Sequence, residues 1–112
     1  MLTASFRDFE KISLCVGTIL EAFVFEAARK PAYILQIDFG DEIGVLKSSA
    51  QVTDLYTPES LVGQQVIAVV NFPEKQIGPI QSQCLVTGFH RDDGAVVLAV
   101  PQQPIANGAR LA

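Results

Sequence analysis

Between Tyr33 and Phe39 the apolar residues Tyr33, Leu35, Ile37 and Phe39 alternate with Gln36 and Asp38. A period of two is what a strand shows when one side packs on a core and the other does not. Gly40, Asp41 and Glu42 turn the chain, and Ile43 to Ser49 is expected as the partner strand. That partner begins apolar and finishes with Lys47, Ser48 and Ser49, followed by Ala50 and Gln51, a run of hydrogen-bonding groups expected to face a ligand or water. Leu14 to Val24 reads as a long strand broken at Gly17, where a glycine lets a strand bend sharply enough to serve both halves of a closed sheet. Gln65 to Val70 is nearly all apolar, a strand of the buried type, and Asn71-Phe72-Pro73 ends it. Glu74 to Ile80 is expected to be a loop, Gln83 to Gly88 a further strand, and Asp92-Asp93-Gly94 a tight hairpin turn into Ala95 to Val100. This order predicts an all-β chain with short helices, folded as a small five-stranded barrel.

The helical signals are brief. Ser5 with Asp8 three residues on marks a helix start, and Phe6 and Phe9 share one side of it, so that side is expected to dock on a core or an interface. Glu26 to Lys30 has room for one helical turn before Pro31. Thr57-Pro58-Glu59 supplies a capping hydroxyl, a proline for the first helical position and an acid for the first turn, and Gly63 stops the helix after barely two turns. Pro101 to Ala112, with Asn107-Gly108 and Leu111, is expected to lie along a surface without a regular element.

The 112 residues suffice for one domain spanning 1–112, with roughly two thirds of the unfolded surface buried. Cys15 and Cys84 lack neighbouring ligands at metal spacing and His90 is the single histidine, so no metal or cofactor is expected. Met1 to Lys11 does not read as a signal peptide, and no uncharged apolar run approaches the roughly 20 residues of a membrane span. A reduced, cytoplasmic protein without membrane insertion is the expectation. Eight basic against twelve acidic residues give a net charge of -4, which argues against promiscuous binding of nucleic acid. Arg29, Lys30, Lys47 and Lys75 nevertheless fall in segments expected around one barrel face, where they would make a small local positive patch. Charged residues are only 18 % of the chain and hydrophobic ones 49 %, so some apolar surface is expected to be covered by a partner, most simply a second copy.

Catalysis finds little footing. His90 has no serine or cysteine nucleophile that the sequence places beside it, and the cysteines fit small buried hydrophobes. Asp38, Asp41 and Glu42 do not have the spacing of a calcium loop, and the glycines are isolated. No enzyme is expected. Read from pattern alone, Lys47, Ser48, Ser49 and Gln51 are either a patch for phosphate, sugar or peptide backbone or a plain solvated strand end. Asn71, Phe72, Lys75, Gln76, Ser82 and Gln83 are either ligand contacts or a loop held by its own side chains, with Asn71 the most structural of them because asparagine closes turns.

Phe9-Glu10-Lys11, Val16-Gly17-Thr18-Ile19, Ala28-Arg29-Lys30-Pro31-Ala32-Tyr33, Ile37-Asp38-Phe39-Gly40, Lys47-Ser48-Ser49-Ala50-Gln51, Leu55-Tyr56, Leu61-Val62-Gly63, Val70-Asn71-Phe72-Pro73 and Gln76-Ile77-Gly78-Pro79 occur in this order. Together they resemble the CsaA proteins of bacteria, part of the wider tRNA-binding-domain family, over nearly the whole chain. The resemblance implies an OB-fold homodimer with N- and C-terminal extensions at its interface. It also implies binding of tRNA and, alternatively, a chaperone role in protein export on unfolded or precursor polypeptides. The residues it implicates are Arg29, Lys30, Lys47, Ser48, Ser49, Gln51, Asn71, Phe72, Lys75, Gln76, Ser82 and Gln83. Cys15 stands where family members usually have arginine, and Ile34 and Gln36 where lysines are frequent, so fewer phosphate contacts are implied here. Ser82-Gln83 replaces the family's Ser-Glu, keeping the shape and removing a negative charge.

Overall fold

The computed structural model describes residues 1–112. Along the chain run α1 (Phe6–Glu10), β1 (Leu14–Val24), β2 (Tyr33–Asp38), β3 (Val45–Ala50), α2 (Pro58–Leu61), β4 (Gln65–Val69), β5 (Lys75–Ile77), β6 (Ile80–Ser82), β7 (Leu85–Val86), β8 (Gly88–His90) and β9 (Val96–Leu98). The main sheet is antiparallel, in the order β3-β2-β1-β4-β7. It curls into a nearly closed five-stranded barrel of the OB type. No helix is long and apolar enough to cross a membrane.

β1 belongs to both halves of the barrel. Leu14 to Thr18 pair with β4, and Thr18 to Val24 pair with β2. The expected break at Gly17 does not occur there, since the strand is continuous and its register slips between Ile19 and Glu21 instead. Gly17 serves close approach: a Cβ on it would lie 2.6 Å from Ile37 Cγ2 and 2.7 Å from the Phe39 ring. Because β2 alternates strictly, Tyr33, Leu35 and Ile37 enter the core with Ile19, Phe39, Leu61, Val66 and Ala68. Tyr33 reaches through that core and donates its hydroxyl to Tyr56 O at 2.7 Å.

Closure of the barrel depends on side chains. β7 is only two residues long and cannot cover the free edge of β3. Gln83 N donates to Lys47 O at 2.7 Å, and Lys47 N donates back to Gln83 Oε1 at 2.9 Å. Ser49 N donates to Ser82 Oγ at 3.1 Å. Two side-chain oxygens thus stand in for strand carbonyls, satisfying backbone N–H groups that would otherwise be costly to leave unpaired.

Several local expectations are corrected. Glu74 to Ile80 is not a loop, because β5 and β6 form a hairpin around Gly78-Pro79, with Gly78 at φ +54. The strand expected over Gln83 to Gly88 is divided into β7 and β8, and β8 pairs with β9 beyond the Asp92-Asp93-Gly94 turn. The segment Glu26 to Lys30 forms a turn with no helix. The helix beginning after Thr57 forms as expected, with reciprocal bonds between Thr57 and Ser60. α1 has the expected Ser5–Asp8 capping box, and of its two phenylalanines Phe9 is half-buried while Phe6 is 72 % exposed and packs on no core of this chain. The tail does more than lie along a surface. Gly108 N donates to Val16 O at 2.8 Å, Val16 N to Ala109 O at 2.9 Å and Leu111 N to Leu14 O at 2.8 Å, which adds a short bridge to the edge of β1.

Candidate nucleic-acid interface

The end of β3, the Phe72-Pro73 corner, the β5–β6 hairpin and the β7–β9 segment surround a cleft of about 590 Å³. Of the residues singled out by sequence, Ser49, Gln51, Phe72, Lys75, Ser82 and Gln83 line it. Phe72 is 44 % exposed at the rim, and Gln51 and Lys75 are also exposed. Apolar walls come from Val52, Ile77, Val86 and Val96. An apolar trough with an aromatic and a cation at its lip suits a base together with its phosphate.

Alternation along β3 sorts its polar run into two sets. Lys47 and Ser49 point away from the core, whereas Ser48 points into it at 1 % exposure. Ser48 is therefore corrected from ligand contact to core polar group, with its hydroxyl donating to Ser49 O at 3.4 Å. The same placement puts it against Cys84, whose thiol burial pushes up to about 12, opposed by the Ser48 hydrogen bond. Burial also raises the Cys15 thiol, opposed by the Arg110 charge, so neither sulfur is a thiolate nucleophile at neutral pH.

Asn71 does not face the cleft. Its Oδ1 accepts from Ser13 N at 2.9 Å and its Nδ2 donates to Lys11 O at 2.7 Å, fastening the segment that leads out of α1. It is structural as expected, but through partners 58 and 60 residues away and not through its own turn. Gln76 is engaged inside its hairpin, donating to Gly78 O and accepting from Gln81 Nε2, both at 2.5 Å. The oxygens of Ser82 and Gln83 are taken by β3.

The cations remain uncommitted. Arg29 and Lys30 are exposed on the β1–β2 loop. That loop lies against the β5–β6 hairpin, for Phe25 Cζ and Ala27 O would be 3.7 and 3.9 Å from a Cβ placed on Gly78. Lys47 stands beside the cleft on β3, paired across the sheet with Gln36. The structure holds a single ion pair, Arg91–Asp93, and none of Arg29, Lys30, Lys47 or Lys75 is part of it. The Arg91 guanidinium holds the exposed Asp93 carboxyl below its ordinary range, helped by the Ala95 backbone N–H. Of the three positions where the resemblance leads one to expect basic residues, Cys15 is buried, while Ile34 and Gln36 pair with Ser49 and Lys47.

Sequence reasoning missed Thr87, His90 and Val96 as cleft residues. They arrive through the division of the strand at Gln83 to Gly88, which brings β8 and β9 over the cleft mouth. The Asp92-Asp93-Gly94 turn was the available signal, since a hairpin there places His90 and Val96 opposite one another.

The fold and sequence match known proteins. A family model described as "Putative tRNA binding domain" matches residues 14–110. The structure of chaperone CsaA from Bacillus anthracis is 45 % identical, with a TM-score of 0.93, and the alignment covers 99 % of this chain and 100 % of that one. The CsaA chaperone protein from Picrophilus torridus is 44 % identical, with a TM-score of 0.92, over 98 % of this chain and 100 % of that one. Methionine--tRNA ligase from Pyrococcus abyssi is 35 % identical over 107 residues, which are 95 % of this chain and 14 % of the ligase. The chain spans about 15 % of the length of the curated relatives it matches.

Proposed function

Because the chain belongs to the tRNA-binding-domain family and is of the CsaA type, we propose that it is a non-catalytic protein that binds tRNA through the cleft and its surrounding loops. Arg29, Lys30, Lys47 and Lys75 contact backbone phosphates, Ser49 and Gln51 supply polar contacts, and Phe72 offers a stacking face. The observation that carries this reading is the set of cations without carboxylate partners around a cleft with an exposed aromatic at its lip. An acidic body of net charge -4 repels nucleic acid elsewhere, which confines RNA to that face and favours recognition by shape.

The proposed working form is a homodimer in the cytoplasm. Support comes from apolar side chains left in water, notably Phe6, Phe89, Val97, Val100 and Leu111. A second copy covers such surface and doubles the number of phosphates one tRNA meets, and sedimentation analysis measures it directly. Saturable tRNA binding that weakens as salt rises supports the RNA reading. Absence of tRNA binding at low salt, with salt-tolerant binding of an unfolded precursor polypeptide, transfers the cleft to the export-chaperone reading.

A further inference from the structure

The tail that closes over β1 contains the only Asn-Gly step in the chain, Asn107-Gly108. Such a step is prone to imide formation, because no side chain on glycine hinders its amide nitrogen from reaching the preceding carboxamide. The fold blocks each requirement of that reaction. The Gly108 N–H is engaged with Val16 O at 2.8 Å. Asn107 Oδ1 accepts from Thr18 Oγ1 at 2.8 Å and from Gln65 Nε2 at 3.2 Å. Gln65 also grips the chain two residues upstream, donating to Ile105 O at 2.6 Å and accepting from Ile105 N at 3.1 Å. Rotation of the turn is blocked by packing: a Cβ on Gly40 would fall 2.7 Å from Asn107 O, and one on Gly108 2.6 Å from Phe39 O.

We infer that Asn107 is a latent deamidation site gated by this tail latch, and that its isoaspartyl product cannot restore the pairing of the tail with β1. When the tail opens, the Gly108 nitrogen attacks Asn107 Cγ and loses its proton to water. A C–N bond forms, the Cγ–Nδ2 bond breaks, ammonia leaves, and a succinimide remains. Water then opens either carbonyl of the ring, with no oxidant or reductant involved. Opening one way gives aspartate, which keeps an oxygen where Thr18 and Gln65 donate. Opening the other way gives isoaspartate, which runs the main chain through the former side chain and adds one methylene before Gly108. Gly108, Ala109 and Leu111 then fall out of step with Val16 and Leu14, the residues whose backbone they bond. The edge of β1 at Cys15 and Val16, buried at 5 % and 8 % exposure, is uncovered. Because closed tail does not react, the rate follows the population of the open form.

The test incubates the full chain at mildly alkaline pH, with a synthetic peptide spanning Pro104 to Ala112 as the unlatched reference. Peptide mass mapping follows the loss of ammonia, and an isoaspartate-specific methyltransferase reports the product. The wild-type chain should react at Asn107 about tenfold or more below the peptide rate. Thr18→Ala should speed it about fivefold, the effect of losing about one hydrogen bond, and Gln65→Ala, which removes three, by more than that. Asn107→Asp should keep hydrogen-exchange protection at Val16, whereas aged isoaspartyl protein should lose it. A wild-type rate equal to the peptide's, a folded Thr18→Ala protein reacting at the wild-type rate, or isoaspartyl protein that keeps Val16 protected would each overturn the inference. Thr18→Ala and the aged wild type carry the test should Gln65→Ala not fold.

Discussion

Replacing Gln83 with alanine separates barrel closure from ligand contact. The change leaves the bond from residue 83 N to Lys47 O in place and removes Oε1, the acceptor 2.9 Å from Lys47 N. Lys47 is half-buried, so its N–H is only partly rescued by water, and the loss is about 1 to 2 kcal/mol. For a domain of this size about 4 °C of Tm is lost per kcal/mol, giving a fall of about 4 to 8 °C. Gln83→Glu keeps an acceptor oxygen at the same reach and should hold Tm near the wild-type value. The assay is thermal unfolding by circular dichroism, paired with a tRNA titration at low salt. The Tm of Gln83→Ala should fall while affinity changes less than about twofold, since an engaged oxygen has little left to offer RNA. An unchanged Tm with affinity down about tenfold would refute the reasoning and return Gln83 to the ligand.

Other consequences follow from the same geometry. Asn71→Ala removes two hydrogen bonds to the backbone of Lys11 and Ser13 and should cost about 1 to 3 kcal/mol, with hydrogen exchange rising first in residues 6–13. The buried Cys84 thiol ionises at 9.0 when unfolded but near 12 in the fold. The unfolded chain thus releases this proton first, so stability is intact below about pH 9 and falls as pH rises toward 12, which denaturant titrations across that window measure. Cys84 should also resist alkylation at neutral pH until the protein unfolds. Gly17→Ala forces a methyl to within 2.6 Å of Ile37 Cγ2 and should destabilise by about 1 to 3 kcal/mol, read as a lower denaturant midpoint.

The barrel was legible because its strands carry local signals. The alternation from Tyr33 to Phe39 gave both the strand and the buried face of β2, and Thr57-Pro58 marked α2. The same rule of two, extended along β3, would have sent Ser48 inward, but three polar residues in succession hide a strand's phase. Ser82 and Gln83 were legible as polar but not as the groups that close the barrel, and Asn71 as structural but not in its partners, because those partners lie 33, 36 and 58 residues away. Non-local pairing has no sequence period. The β5–β6 hairpin was missed because Lys75, Gln76 and Gln81 lack apolar alternation, and its strands are only three residues each.

The most direct measurement of the central claim is the salt dependence of tRNA binding by the wild type and by a variant carrying Arg29→Ala, Lys30→Ala, Lys47→Ala and Lys75→Ala. With two to four of these cations on phosphates, log affinity should fall against log salt with a slope of roughly −1.4 to −3.6 per engaged subunit. The variant should stay folded, because none of the four side chains is in a salt bridge, and should lose most of that slope along with its affinity. A folded variant with the wild-type slope and affinity would contradict the account and place the RNA on another face of the molecule.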